Sequence, residues 1–157
     1  MVQARKRSTI EETRGLAAWR LFLQAHKELT NALAAELEAE RDLPLSWYDV
    51  LIQLSQEPDG RMRMQDLARR ILLSKSGLTR LFDRMQETGL VQRESCPDDR
   101  RGTHAALTPA GRRTLQRAMP VHRRGIEQHF SSQLTETETA ALSSAFEKML
   151  TALSEGA

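Results

Sequence analysis

A run of short polar and cationic side chains stands at the start of a helix that the sequence predicts over residues 75–88. Ser74 is a good N-cap for this helix, and Gly89 suits the left-handed backbone position after its end. A helical wheel gives it an apolar face and a polar face. Opposite the apolar residues lie Ser76, Arg80, Asp83 and Glu87, flanked by Thr79 and Arg84, and the donors at the amino-terminal end are Ser74, Lys75, Ser76, Thr79 and Arg80. Hydroxyl, ammonium and guanidinium donors at a helix start can bind base edges and phosphates, so the helix is a candidate for contact with nucleic acid.

Arg80 is the first choice for a base contact within that group. Its guanidinium can donate to both acceptors of guanine, a pairing that contributes about 1–3 kcal/mol of discrimination between bases. The opposite face is predicted to pack in the core and consists of Leu78, Leu81, Phe82 and Met85. A solvated helix surface is the alternative interpretation, because exposed helices commonly carry Arg, Lys and Ser.

A second cationic cluster follows in a predicted hairpin. Residues 90–96 and 103–107 are expected to form its strands, and the residues between them are turn formers and charged groups. Arg100 and Arg101 in this predicted tip are suited to insertion into a narrow, strongly negative minor groove of duplex DNA. Asp99 is predicted to orient an arginine, either in the tip or at Arg84, through a bidentate ion pair.

The charges of the chain are unevenly distributed. Residues 61–124 carry 15 basic and 6 acidic groups, a net charge of +9, whereas the segments before and after them carry −3 and −4. A basic segment between acidic flanks favours a polyanion as its partner. On charge alone, an ordinary solvated surface is an equal alternative.

Composition restricts the class of protein further. With 157 residues, of which 39% are hydrophobic and 28% charged, the chain is expected to fold as one mainly helical globular domain. Apolar runs are too short to span a bilayer and no signal sequence is apparent, so a cytoplasmic protein without a membrane partner is expected. The single cysteine, Cys96, excludes an internal disulfide and a thiolate zinc finger. No catalytic motif is present, and His122 and His129 lack further ligands at suitable spacing, so no enzyme, metal or cofactor is expected.

The elements that must position the two clusters begin with a long amphipathic helix over residues 11–40. Large apolar residues recur there at intervals of three and four. Ser46 is expected to cap a second helix, which ends before a turn at residues 58–60. A brief strand at residues 62–64 leads to a third helix, where Arg63 occupies the N-cap position without a capping side chain.

Two further helices are predicted after the hairpin. Thr108 and Pro109 are typical of a helix start, and Pro120 is expected to kink or break that helix. Residues 135–138 have the pattern of a capping box before the last helix. The order helix, tight turn, helix, charged hairpin is that of a winged helix-turn-helix, so the predicted fold is mainly α with a small β-hairpin wing.

Residues 62–111 resemble the MarR family of bacterial transcription regulators. The most specific matches are Asp99-Arg100-Arg101, Leu107-Thr108-Pro109-Ala110-Gly111 and Gly89-Leu90-Val91. The resemblance implies interlocking terminal dimerisation helices and a homodimer that places one winged helix-turn-helix on each half of a pseudo-palindromic operator. Residues 1–157 would then be a single MarR-like domain, with dimerisation helices at 12–40 and 109–157 and a DNA-binding lobe at 45–108.

The resemblance also implies a regulator, expected to be a repressor, that releases double-stranded DNA when a small aromatic or phenolic ligand binds between the dimerisation helices and the DNA-binding lobe. The candidates to contact this ligand combine a flat apolar body with a polar tip, and they are Trp19, His26, Trp47 and Tyr48. Ordinary core packing is the alternative role for each. A winged helix that binds protein instead of DNA is the alternative function, and the basic middle segment argues against it.

Overall fold

The computed structural model describes the backbone of residues 2–71, 75–96 and 99–156, and the side chains of residues 14–71, 76–95 and 103–156. In chain order the elements are α1 (Val2–Arg41), α2 (Leu45–Ser55), β1 (Arg61–Arg63), α3 (Met64–Arg70), α4 (Lys75–Glu87), β2 (Val91–Cys96), β3 (Asp99–Leu107), α5 (Pro109–His129), a 3₁₀ helix (Ser131–Gln133) and α6 (Glu136–Glu155). The prediction of a mainly α fold with a small β wing is therefore confirmed. No helix in the described ranges is both long and apolar enough to cross a membrane.

The chain divides into two compact units. The first comprises residues 1–33 and 125–157, and the second comprises residues 34–124. Every buried apolar side chain among the described residues, from Leu37 to Val121, belongs to the second unit. The second unit thus folds around its own core, and it carries the sheet together with α2, α3 and α4.

In the first unit, large apolar side chains of α1 and α6 are exposed in the single chain. Trp19 is 56% exposed, and Leu150 and Leu153 of α6 are 67% and 71% exposed. The Phe22 ring centroid lies 5.7 Å from that of Trp19 and 5.8 Å from that of Phe146. The contact between Phe22 and Phe146 therefore joins α1 and α6 in this unit.

The start of α6 has the capping box that the sequence predicts. The backbone N–H of Glu138 donates to the Thr135 hydroxyl, and the Glu138 carboxylate accepts from the Thr135 backbone N–H at 2.9 Å. Two backbone donors that the helix leaves without an intrahelical partner are satisfied in this way.

The core of the second unit takes side chains from each of its helices. The fully buried ones include Leu37, Val50, Leu51, Leu54, Leu67, Leu78, Phe82, Met85, Val91 and Val121. Leucine and other aliphatic side chains dominate this set, and their removal from water is the main favourable contribution to folding. The amphipathic pattern of each helix therefore sets which of its faces is left for solvent.

The prediction that Ser46 caps α2 is wrong. The helix begins at Leu45 after Pro44, whose carbonyl oxygen accepts from the backbone N–H groups of Trp47 and Tyr48 at 2.9 and 3.1 Å. Pro44 has an extended conformation (φ −58°, ψ 137°) that directs the chain into the helix, so Ser46 lies one residue inside it. The predicted absence of a capping side chain at Arg63, before α3, is confirmed.

The sheet is antiparallel, with strand order β1-β3-β2. β3 pairs Ala106 with Arg61 of β1 and Ala105 with Arg93 of β2. β2 ends at Cys96 and β3 begins at Asp99, so the predicted loop over residues 97–102 is too long. Backbone pairing reaches Asp99, which pairs with Cys96 beyond a register irregularity between Ser95 and Cys96, because strand pairing does not require an alternating apolar pattern.

Thr108 caps α5 as predicted. Its hydroxyl accepts from the backbone N–H of Gly111 at 3.0 Å, and it lies 2.7 and 3.0 Å from the carbonyl oxygens of Gly89 and Leu90. The sequence predicts that Pro120 kinks or breaks this helix. A break does not occur, since α5 continues through Pro120 to His129, and the kink stays a prediction. A proline removes only one backbone hydrogen bond, and burial of side chains around it offsets that loss.

Candidate nucleic-acid interface

α4 presents one face to the core and the other to solvent. Leu78, Leu81, Phe82 and Met85 are at most 6% exposed, as the helical wheel predicts. The polar residues on the opposite side, Ser76, Thr79, Arg80, Asp83 and Arg84, are exposed. The buried face fixes the orientation of the helix, so the polar face is held in one direction on the surface of the second unit.

Two cationic groups stand on that polar face. Neither Arg80 nor Arg84 forms an ion pair with a side chain in the described part of the chain. Their guanidinium donors are thus available to an external acceptor. Ser74 lies outside the described residues, as does the Lys75 side chain, so the contacts predicted for them stay predictions.

The end of α4 is connected to the start of α5. Gly89 has a positive φ of 74°, and the backbone N–H of Leu90 donates to the carbonyl of Met85 at 3.1 Å, which ends the helix. The Thr108 hydroxyl then lies within hydrogen-bond distance of the Gly89 and Leu90 carbonyls. This arrangement gives a structural reason for the Gly89-Leu90 and Thr108-Pro109 pairs noted in the sequence.

Arg93 of β2 contacts α4, and no pattern in the sequence indicates this contact. Its guanidinium lies 2.7 Å from the Asp83 carboxylate and donates to the Gln86 side-chain oxygen at 3.2 Å. The guanidinium carbon is also 5.0 Å from the centroid of the Phe82 ring. Since the partners are on different elements, helical periodicity could not reveal the contact.

The predicted wing is formed by β2 and β3. Arg100 and Arg101 lie within β3, rather than in a loop, and the side chains of Asp99, Arg100 and Arg101 are outside the described set. Their roles in the minor groove, and the pairing of Asp99 with an arginine, therefore stay predictions. The backbone does place all three residues at the end of the hairpin far from its Val91–Leu107 pair.

The four aromatic residues singled out in the sequence occupy both units. In the first unit, Trp19 and His26 flank Phe22, with ring centroids 5.7 and 6.3 Å from it. In the second, Trp47 packs against the core, and the buried Tyr48 stacks on His122 at 4.3 Å.

The surroundings of the Tyr48 and His122 rings shift both titrations. Burial, with a smaller contribution from neighbouring Asp49, raises the pKa of Tyr48 above 10.0. Burial also lowers the pKa of His122 below 6.5. Both shifts favour the uncharged rings that stack here. No set of three or more His, Cys, Asp or Glu side chains suited to a metal ion occurs among the described residues.

The fold and the exposed face of α4 define a winged helix-turn-helix protein of the class that regulates transcription. The MarR family profile matches residues 41–102. AbsC, a MarR family transcriptional regulator from Streptomyces coelicolor, is 34% identical, with 89% of this chain and 94% of AbsC covered at a TM-score of 0.82.

Two further relatives are a regulator whose structure was solved with DNA and a transcriptional repressor. Sco3205, a MarR family regulator from Streptomyces coelicolor solved in complex with DNA, is 30% identical, with 88% of this chain and 90% of Sco3205 covered at a TM-score of 0.81. The transcriptional repressor MprA of Escherichia coli (strain K12) is 27% identical over 108 residues, which are 69% of this chain and 61% of MprA. The chain belongs to the MarR family of transcriptional regulators. Members of this family are regulators and not enzymes.

Proposed function

We propose that the chain binds double-stranded DNA in a sequence-specific manner, as a homodimer on a pseudo-palindromic operator. The observation that carries the proposal is the exposed polar face of α4, on which Ser76, Thr79, Arg80 and Arg84 stand opposite the buried residues. The complex of Sco3205 with DNA supports it, since that relative has the same fold. In the proposed complex α4 is the recognition helix and enters the major groove.

Individual roles follow from the chemistry of the side chains. Arg80 is proposed to donate to guanine, and Arg100 and Arg101 to enter the minor groove with Asp99 orienting one arginine. The remaining proposed contacts, to phosphates and base edges, are made by Ser74, Lys75, Ser76, Thr79 and Arg84.

Dimerisation is proposed to occur through residues 12–40 and 109–157. The occupant of the exposed apolar surface of the first unit is then a second copy of the chain. Trp19, Leu150 and Leu153 are each more than half exposed in the single chain, which is costly for side chains of this size unless another surface covers them. On dilution in a sedimentation experiment the dimer should persist to low concentration, and a compact monomer would contradict this part of the proposal.

DNA binding can be separated from the alternative of a protein-binding adaptor with one measurement. Electrophoretic shifts on random duplex at two salt concentrations should show a steep loss of affinity as salt rises, because phosphate contacts release counterions. The double variant Arg100→Ala and Arg101→Ala should bind less tightly and with a shallower salt dependence. An adaptor would show no such salt-dependent binding, and unchanged binding by the double variant would contradict the minor-groove role.

The sign of regulation and its control by a ligand complete the proposal. MprA is a transcriptional repressor, which supports repression here. A small aromatic or phenolic ligand is proposed to release DNA, with Tyr48 and Trp47 as the candidate contacts in the second unit and Trp19 and His26 in the first. Small aromatic acids that displace the chain from its operator would identify the ligand class. Displacement unchanged in Tyr48→Ala would exclude Tyr48 from the ligand contacts.

A further inference from the structure

Asp83 is an acidic residue on the face of α4 that is proposed to meet DNA. It is one helical turn from Thr79 and is 51% exposed at its side chain. A carboxylate beside phosphates is unfavourable for binding, so its presence on this face needs another explanation. Its partner Arg93, at 2.7 Å, comes from the strand that begins the wing.

Three contacts fix the Arg93 side chain along a single turn of α4. It pairs with Asp83, donates to Gln86 at 3.2 Å, and lies with its guanidinium carbon 5.0 Å from the centroid of the fully buried Phe82 ring. The Arg93 guanidinium thus acts as a cation, as a hydrogen-bond donor and as a planar group against an aromatic ring, and a lysine could not make these three contacts together. With only 29% of its side chain exposed, Arg93 is directed to the helix and the core rather than to solvent.

The same residue is tied to the wing through the sheet. Arg93 pairs with Ala105 of β3, a buried position in the strand that begins with Asp99. The ion pair therefore joins α4, which carries Arg80, to the strand pair that carries Arg100 and Arg101. Without this ion pair, α4 and the β2–β3 strand pair would be connected only by backbone and apolar packing, and the angle between them would be less tightly restricted.

We propose that Arg93 and Asp83 form a positioning pair that holds the recognition helix at a fixed angle to the wing and so contributes to operator specificity without contacting DNA. This inference rests on the proposed DNA-binding function. The positioning role predicts a change in operator affinity opposite in sign to the one that net charge predicts. Asp83→Asn makes the chain more positive by one charge, which should strengthen binding to a polyanion, yet loss of the positioning pair should weaken binding to the operator.

The test uses the full-length chain and an operator selected by that chain from random duplex DNA. Affinities for the operator and for random duplex are measured for Asp83→Asn, Arg93→Met and the double variant, well below the unfolding temperature of each. Each variant should lose operator affinity by about tenfold, near the lower end of what a lost base contact costs. The loss in the double variant should match that in the single variants, because the pair acts as a unit.

Glu57→Gln is the matched control. It makes the same change of one charge and removes an ion pair of similar geometry, at 2.8 Å to Arg70, that does not involve α4. Its operator affinity should not fall. Random duplex should be bound by Asp83→Asn as well as by the wild-type chain, or better.

The remaining outcomes overturn specific statements. Stronger operator binding by Asp83→Asn, weaker binding by Arg93→Met and near wild-type binding by the double variant would mean simple electrostatics and no positioning. A decrease of about one in the salt slope of Arg93→Met would mean a direct phosphate contact instead. Failure of the wild-type chain to select any sequence would overturn the proposed function and this inference together.

Discussion

Replacing Gly111 by alanine should destabilise the second unit, because the backbone leaves no room for a methyl group. A Cβ at this position would lie 2.1 Å from the carbonyl oxygen of Leu90 and 2.8 Å from Cδ1 of Leu107, whereas ordinary contacts begin near 3.4 Å. Relieving the first clash requires a movement of about 1.3 Å between α5 and the segment after α4. The obstructing oxygen belongs to the main chain and cannot rotate away as a side chain can.

The expected cost follows from that geometry. Overpacking costs roughly 1–3 kcal/mol, and a clash with backbone should lie at the upper end, about 3 kcal/mol. For a chain of this length that corresponds to a decrease in Tm of about 6–12 °C.

Two other glycines provide matched controls for the same substitution. Gly15→Ala, in α1 with nothing within 4 Å of the added carbon, should stabilise by about 0.5–1 kcal/mol because alanine favours helix. Gly89→Ala, at a φ of 74° and also without a clash, should cost about 1–2 kcal/mol from backbone strain alone.

Denaturant unfolding at a fixed protomer concentration measures all three variants. From the most to the least stable, the predicted order is Gly15→Ala, wild type, Gly89→Ala and Gly111→Ala. A Gly111→Ala variant within about 0.5 kcal/mol of wild type would refute the close approach of α5 to Leu90.

Three further predictions concern the cap of α5 and two titrating groups. Thr108→Val should lower the free energy of unfolding by about 1–2 kcal/mol, because the Thr108 hydroxyl caps α5 and contacts two carbonyl oxygens. Thr151→Val is the control, since it removes only an exposed hydrogen bond within α6, and it should be nearly neutral in the same denaturant unfolding experiment. Burial lowers the pKa of His122 below 6.5, so the stability that comes from the neutral ring is present above pH 6.5 and is lost as the pH falls through the lowered pKa. His122→Gln should therefore flatten the dependence of the free energy of unfolding on pH in this range. A variant with the same pH dependence as the wild-type chain would contradict this prediction. The Glu138 carboxylate accepts a hydrogen bond from the Thr135 backbone, which lowers its pKa below 4.5, so an NMR titration should find that value depressed and the capping contribution should disappear as the pH falls below 4.5.

The helices and their buried faces were predictable because local patterns specify them. The wheel of α4, the capping box at Thr135 and the cap at Thr108 depend on residues within one or two turns, and the structure confirms each. The same local patterns predicted the order of the elements, and the resemblance of residues 62–111 to the MarR family is confirmed by the family match.

Errors occurred where a distant or backbone effect decides the structure. Ser46 is a good cap by type, but the conformation of Pro44 makes it the N-cap and starts α2 two residues earlier, at Leu45. Pro120 is a helix breaker by type, but flanking residues such as Val121 are buried and keep α5 continuous. The pairing of Arg93 with Asp83 joins a strand to a helix, so no periodicity within either element could predict it.

Selection of bound sequences from a random duplex pool, by the wild-type chain and by Arg80→Ala, tests the central claim most directly. The wild-type chain should select a pseudo-palindrome whose half-sites are about one helical turn, roughly 34 Å, apart. Arg80→Ala should relax one or two symmetry-related positions and keep the rest. A non-palindromic selection, or a variant that weakens every sequence equally, would contradict the claim that α4 contacts bases in each half of a two-fold site.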